Sequence, residues 1–289
     1  MNTVTQCKCL IVVPVYTSLT PVEMVTLRHN AEVLRGYTFV VIGPLSETSA
    51  ITKARQIIES AGAKAEFRRF EEGYFRGIHG YNRLLKSHKF FYKFQDAEFI
   101  LICQLDAVVL QDRLEKWILE GYDFIGAPFF EGMARPKLPP KFIKGANGGL
   151  SLRRVESSIH VLNKISSSLP SYICKQLLWK IFGWLFRLYQ IPKRDFISLR
   201  GNEDLFWTIE VPKFFPDFNV APAEISRKFS YDVLPDFIHK LNQGELPFGC
   251  HAWRRFNEAF WLQKFPSKLS KDLVAVMKEV ETKSHPANK

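Results

Sequence analysis

Neither a complete GxGxxG nor a GxxxxGK[ST] occurs in the 289 residues, so the dinucleotide fingerprint and the phosphate-binding P-loop are both without support. HExxH, GxSxG and paired Cys/His clusters are absent as well, which removes the commonest zinc-protease and serine-hydrolase chemistries. Cysteine is scarce: Cys7, Cys9, Cys103, Cys174 and Cys250 form an odd, scattered set of five without CxxC spacing. Such a set argues for a reducing compartment and against a disulfide framework or a structural zinc site. No internal repeat or low-complexity tract occurs. The first residues carry no charged n-region, and the apolar run 9–15 is short and ends around Pro14, so it reads as a first strand and not as a signal peptide.

What is present is ordinary globular material, 46% hydrophobic and 24% charged, long enough for one large domain or two small ones. The net charge of +11 points to an anionic partner: a nucleotide diphosphate, an acidic membrane surface or nucleic acid. Charge alone does not choose among them.

The run 99–110 is apolar almost throughout and contains one charge, Asp106. Its length and bounds fit a strand buried on both faces, and a carboxylate that deep is costly unless paired or coordinated. Asp106 is therefore expected where the strand ends, facing a cleft. Around it, short apolar runs at 7–15, 39–42 and 65–70 alternate with helical periods. The first, over 21–34, has Thr20 as N-cap, Pro21 at its first position and Glu23 closing a capping box. The second, over 49–61, stops at Gly62. Strands alternating with such helices predict an α/β fold with a mostly parallel central sheet. A helix running to Phe94 is expected after the glycine-rich 71–80, a loop over the cleft at 129–144, a helix from Asn202 broken at Pro212, and a short strand and turn over 220–229. The charged segment from Pro266 reads as a peripheral tail with one possible helix.

Projected on a helical wheel, residues 173–189 read as a wide apolar face with a thin strip of Gln176, Lys180, Gly183 and Arg187. Basic residues beside Trp and Phe suit a helix lying in a membrane interface, and they equally suit a core helix or an oligomer contact.

Several separated elements fall at strand ends, the usual binding edge of such a sheet. Pro14 and Tyr16 offer backbone and a ring to a nucleotide base, and Asn82 and Arg83 offer contacts to ribose or phosphate from a helix N-terminus. Asp106 suits Mg²⁺ or Mn²⁺ bridging two phosphates. Asn147, Gly148 and Gly149 bring backbone N–H groups close to a sugar, Asp204 after Glu203 suits a general base, and His251 a metal or phosphate contact. Each has a structural counterpart: a solvated helix face for Asn82-Arg83, a turn for Asn147-Gly148-Gly149, an N-cap with first-turn acids for Asn202-Glu203-Asp204, and a satisfied half-buried histidine for His251.

The order of these elements resembles the GT-A class of nucleotide-sugar-dependent glycosyltransferases and, more narrowly, a bacterial and fungal family known as a domain of unknown function, DUF5672. The matching stretches are Val12-Val13-Pro14-Val15-Tyr16, Gly80-Tyr81-Asn82-Arg83-Leu84-Leu85, Gln104-Leu105-Asp106-Ala107, Tyr122-Asp123-Phe124-Ile125-Gly126-Ala127-Pro128, Asn147-Gly148-Gly149-Leu150-Ser151-Leu152-Arg153, Asn202-Glu203-Asp204-Leu205-Phe206-Trp207 and Pro247-Phe248-Gly249-Cys250-His251-Ala252-Trp253. The resemblance implies a GT-A (Rossmann-like) fold over 1–265. Its nucleotide-binding half is 1–126 and its acceptor half 127–265, with a helical insertion at 167–195 and a tail at 266–289. It also implies a nucleotide-diphosphate sugar donor, a glycan or lipid-linked glycan acceptor, bacterial surface polysaccharide synthesis, and a divalent cation, Mn²⁺ or Mg²⁺.

Asp106 matches the last aspartate of the DxD element that ligates the metal, His251 the histidine completing that site, and Asp204 the base of the xED element, beside Glu203. Gln104 departs from the pattern at the first DxD position, which leaves one carboxylate and a histidine to hold the ion with the diphosphate. A cytoplasmic location with peripheral contact to an anionic inner membrane face is expected, and nucleic acid is not an expected partner. The competing readings are a basic nucleic-acid-binding protein, which no recognised motif supports, and a GT-A-like nucleotidyltransferase, which would release pyrophosphate.

Overall fold

The computed structural model describes residues 7–46, 48–167 and 201–284. Cys7–Pro14 forms β1 and leads to Pro21–Val33, α1, whose start is fixed by the expected capping box: Glu23 N–H donates to Thr20 Oγ1, and Thr20 N–H donates to the Glu23 carboxylate. Thr38–Pro44 (β2), Ser49–Ser60 (α2) and Lys64–Phe70 (β3) follow, with α2 closed by Gly62 in the left-handed region at φ +84°. The single helix expected up to Phe94 is two, Gly77–Leu84 (α3) and His88–Tyr92 (α4). Ser87 separates them, donating its hydroxyl to Leu84 O and accepting the Phe90 N–H.

Ala97–Cys103 is β4, the central strand. Its residues alternate between two cores, Phe99, Leu101 and Cys103 on one face and Ile100 and Ile102 on the other, as the period of a strand requires. Then come Val108–Val109 (β5), Leu114–Leu119 (α5), Phe124–Ile125 (β6), Pro128–Phe130 (β7), Phe142–Ala146 (β8), Leu150–Arg154 (β9) and a helix over 155–167 (α6). The main sheet has the order β3-β2-β1-β4-β9-β6, parallel except for β9, which runs antiparallel to both its neighbours. The mostly parallel α/β sheet read from the sequence is the one observed. Residues 129–144 are not an open loop: β7 and β8 pair as an antiparallel hairpin.

Glu203–Leu205 (α7) continues through a π-helical turn, Phe206–Glu210, into Val211–Phe214 (α8). Pro212 does not break this helix, because the wide turn ends just before it and leaves it in the first turn of a new segment, where its missing N–H is not needed. The expected strand within 220–229 shrinks to one bridge, Val220 to Phe124, followed by a helix, Ala223–Phe229 (α9). Ser230–Tyr231 (β10) and Gly249–Cys250 (β11), flanking the helix Pro235–Leu241 (α10), join β5 in a small sheet of order β10-β11-β5. That sheet carries residues 231–232 and 251 to the carboxyl end of β4. After Glu258–Lys264 (α11), Ser267–Ser284 (α12) is no peripheral tail, since it buries Leu269 and Leu273 in the same apolar cluster as Val22 of α1.

The proposed insertion 167–195, with its amphipathic stretch 173–189, lies outside the described residues from 168 onward. Among the described residues no helix is long and apolar enough to cross a membrane.

Candidate active site

Beyond Cys103 the chain turns sharply into β5, and α1 holds both limbs of the turn. Thr26 donates its hydroxyl to Leu105 O at 2.7 Å, Asn30 donates to Ala107 O at 2.8 Å, and Val109 N–H donates to Asn30 Oδ1 at 2.8 Å. Two buried polar side chains of α1 thereby fix the backbone on either side of Asp106, whose own side chain is half exposed.

His251 arrives from the end of β11. Its Nε2 lies 3.4 Å from Asp106 Oδ1 and 3.2 Å from Gln104 Oε1, and its Nδ1 lies 3.5 Å from Asp232 Oδ2. Burial works against charge on the ring, but the adjacent carboxylates of Asp106 and Asp232 outweigh it and push the pKa up to about 10. Burial likewise acts to raise Asp106, and contact with His251 overrides it, holding that carboxyl below its usual range. Asp232 was not anticipated. It is buried at the end of a strand two residues long, and only the pairing of β10 with β11 brings it to His251.

The Asn147-Gly148-Gly149 turn wedges between two halves of the site. Asn147 Oδ1 accepts the Gly149 N–H at 2.8 Å, and Gly149 O accepts the Gln104 N–H at 3.0 Å. A Cβ on Gly149 would lie 2.2 Å from His251 Nε2, and one on Gly148 would lie 2.1 Å from Glu203 Oε1. Glycine at both positions is thus a packing requirement of the residues on either side.

Glu203 is gripped by Arg153 through two hydrogen bonds of 2.7 and 2.9 Å, and its N–H donates to Asn82 Oδ1 at 2.6 Å. Asn82 is buried, sits in the last turn of α3 and not at its N-terminus, and spends its other amide hydrogen bond on Ile78 O. Asn202 occupies the N-cap position of α7 without capping it. Asp204, the next acid, is half-buried, and burial followed by the charge of Glu203 raises its pKa to about 7, against the pull of the Leu205 N–H and Arg153. Asp204, Asn147, Asp232 and His251 line one hollow of about 330 Å³.

Pro14 is buried as the last residue of β1, and Tyr16 emerges beyond it, its ring 5.7 Å from Phe75 and 6.1 Å from Tyr81. The charge of Asp106 reaches Tyr16, whose pKa burial and that charge both raise. Arg83 does not join the set; it donates to Gly73 O at 3.0 Å and lies over the Tyr74 ring.

Among the described residues no three His, Cys, Asp or Glu side chains converge as a metal cage. The donor set nevertheless fits a divalent cation held jointly with phosphates, the ion displacing the proton that Asp106 and Asp232 otherwise keep on the His251 ring. His251 Nε2 lies 3.4 Å from an oxygen of Asp106 and 3.2 Å from the side-chain oxygen of Gln104, and Asp232 backs the remote ring nitrogen as carboxylates behind metal-bound histidines do.

Comparison with solved structures identifies the architecture. The galactosyltransferase LgtC, in complex with donor and acceptor sugar analogues, matches over 91% of this chain and 95% of its own, with a TM-score of 0.53 at 14% identity. The fold is that of the GT-A glycosyltransferases. GlyE of Streptococcus pneumoniae aligns over 96% of this chain and 64% of its own, with a TM-score of 0.48 and 12% identity. Core-mannan synthase A of Aspergillus fumigatus, in an Mn/GDP form, aligns at 9% identity and a TM-score of 0.32, and the chain spans only 44% of its length. No curated protein matches the chain in sequence. Residues 64–251, well over half of the chain, match the family described as protein of unknown function (DUF5672), and the chain belongs to that family.

Proposed function

We propose that the chain is a glycosyltransferase that moves a sugar from a nucleotide-diphosphate sugar to a hydroxyl group of a glycan. The observation that carries this reading is the hollow shared by Asp204 and His251, with an acid of pKa about 7 on one side and the Asp106–His251 pair beside the other. A carboxyl poised near neutrality suits proton transfer from a hydroxyl, and the GT-A fold gives the donor its usual edge at the end of β4.

In the reaction, Asp204 accepts the proton of the attacking hydroxyl while the acceptor oxygen bonds to the anomeric carbon. The bond from that carbon to the donor phosphate oxygen breaks, and its electron pair leaves with the nucleoside diphosphate. Asp106 and His251, with Gln104, would hold Mn²⁺ or Mg²⁺. Such an ion supplies charge neutralisation for the departing diphosphate. Glu203 and Asn82 act from behind, fixing the start of α7 so that Asp204 faces the hollow. Tyr16 beside Tyr81 and Phe75 offers an aromatic surface to the base. The chain's net charge of +11 supports an acceptor carried as a lipid-linked glycan at an anionic membrane face, in polysaccharide synthesis.

The test is a panel of nucleotide sugars screened for thermal stabilisation with and without Mn²⁺, followed by assay of nucleoside diphosphate release. One donor should stabilise the protein, and Asp106→Ala and Asp204→Asn should each abolish release while leaving the fold intact. Pyrophosphate as the product would replace this reading with a nucleotidyltransferase, and an Asp204→Asn protein of normal turnover would remove Asp204 as base.

A further inference from the structure

His251 divides the site. Its Nε2 edge meets Gly149, Gln104 and Asp106, while Nδ1 meets Asp232. Of these four neighbours only Asp232 lines the hollow of about 330 Å³, together with Asp204, Met133, Arg255 and Phe256. The hollow therefore opens on the side of the ring away from the edge where a diphosphate would be held. On the transferase reading, what enters it beside Asp204 is the acceptor.

Arg255 is the unspent charge there. It is exposed, and among the described residues its guanidinium meets no carboxylate, only the Phe256 ring at 5.0 Å, whereas its neighbour Arg254 is paired with Glu258 at 2.7 Å. The arginine whose charge reaches Asp204 is Arg153, from beneath. The β7–β8 hairpin, which lines the hollow with Phe129, Phe130 and Met133, carries a basic excess outside that lining: Arg135, Lys137, Lys141 and Lys144 are exposed against a single acid, Glu131, which Lys137 already takes at 2.7 Å. Met133 and Ala252, from separate segments of the lining, both adopt left-handed backbone, at φ 55° and 50°, an arrangement that non-glycine residues keep only where the surroundings impose it.

We infer that the acceptor carries a negative charge, a carboxylate or a phosphate, which Arg255 binds while the attacking hydroxyl faces Asp204. This deepens the transferase reading and rests on it. A guanidinium at a partly enclosed site takes either anion through two parallel N–H bonds, and an uncharged sugar would leave it solvated and unused.

The experiment compares three acceptors on one sugar framework: neutral, bearing a uronic acid carboxylate, and bearing a phosphate monoester. Initial rates are measured for the wild type, Arg255→Gln and Arg255→Lys, each checked by thermal melting. At least one charged acceptor should show a KM about tenfold or more below the neutral one. Arg255→Gln should erase that advantage without changing the donor KM, and Arg255→Lys should keep part of it. The charged acceptor that gains more identifies the anion. A neutral acceptor served as well as both charged ones, or an Arg255→Gln loss falling on the donor KM whatever the acceptor, overturns the inference and leaves the transferase reading standing. Absence of turnover with every nucleotide sugar overturns that reading, and this inference with it.

Discussion

Arg153 holds both carboxylate oxygens of Glu203 in the interior, with the two side chains only 1% and 6% exposed. Arg153 also donates to Ser151 Oγ and Gly148 O, and its guanidinium lies over the Phe124 ring, so the pair ties β9, the glycine turn and α7 into one unit. Removing one partner strands a charge where water cannot reach it. Glu203→Ala should therefore cost about 3–5 kcal/mol of stability, read from the shift in urea midpoint at constant slope. Replacing both partners with apolar residues of similar volume should recover much of the loss. A Glu203→Ala protein as stable as the wild type would mean that the pair does not organise this interior.

Asp204 makes a pH prediction with a definite sign. Its carboxyl titrates at about 7 in the folded chain against an ordinary 3.8, with burial the main cause. A raised native pKa means that the folded state holds the proton more tightly than the unfolded one. The destabilisation from ionising Asp204 is thus absent below about pH 3.8, grows as pH rises, and is complete above about 7. Asp204→Asn, which keeps an oxygen for the Leu205 N–H, should melt above the wild type at pH 8 and together with it near pH 4. Transfer by the wild type should rise with pH through about 7 as the base loses its proton. A flat profile across that range would separate Asp204 from the proton transfer.

Much of this was legible in the sequence where the signal was local or chemically isolated. Thr20 and Glu23 cap α1 because the box is self-contained, and Asp106 stood out as the lone charge in an apolar run. Asp232 was not legible, because β10 has two residues and its meaning comes from pairing with β11, which no local pattern encodes. Asn82 shows a different limit. The sequence offers its amide to a ribose or phosphate, yet the side chain is buried and its oxygen takes the Glu203 N–H, and sequence cannot tell which donor an amide will meet. The C-terminal segment misled through its charges: Leu269, Leu273 and Val276 form a stripe at helical spacing that packs with α1, while Lys268, Lys271 and Lys278 are exposed.

Asp232 should act on metal affinity and not on the chemistry itself. It faces the nitrogen of His251 that points away from Asp106, and so sets the angle at which Nε2 is presented. Loss of such a backing carboxylate typically weakens metal binding about 10–100-fold. Asp232→Ala should show that decrease in a calorimetric Mn²⁺ titration made in the presence of the stabilising nucleotide sugar. An unchanged Mn²⁺ affinity would leave Asp232 as a buried acid with no part in orienting the ring.

The two glycines of the turn should separate activity from stability. A methyl group on Gly149 would lie 2.2, 2.3 and 2.5 Å from three atoms of the His251 ring, and one on Gly148 would lie 2.1 Å from Glu203 Oε1 and 2.9 Å from Arg153 Nη2. Something must move in each case, and what moves differs. The His251 ring has the hollow beside it and can swing there, at the expense of its contact with Asp106. Arg153 and Glu203 are enclosed and locked to each other, so the strain stays in the interior. Gly149→Ala should thus lose most transfer and Mn²⁺ affinity while unfolding near the wild-type midpoint. Gly148→Ala should lose about 1–3 kcal/mol of stability, the usual cost of overpacking. Measured side by side by urea unfolding and nucleoside diphosphate release, the reverse pattern would show that the turn is not shared between a catalytic edge and a structural one.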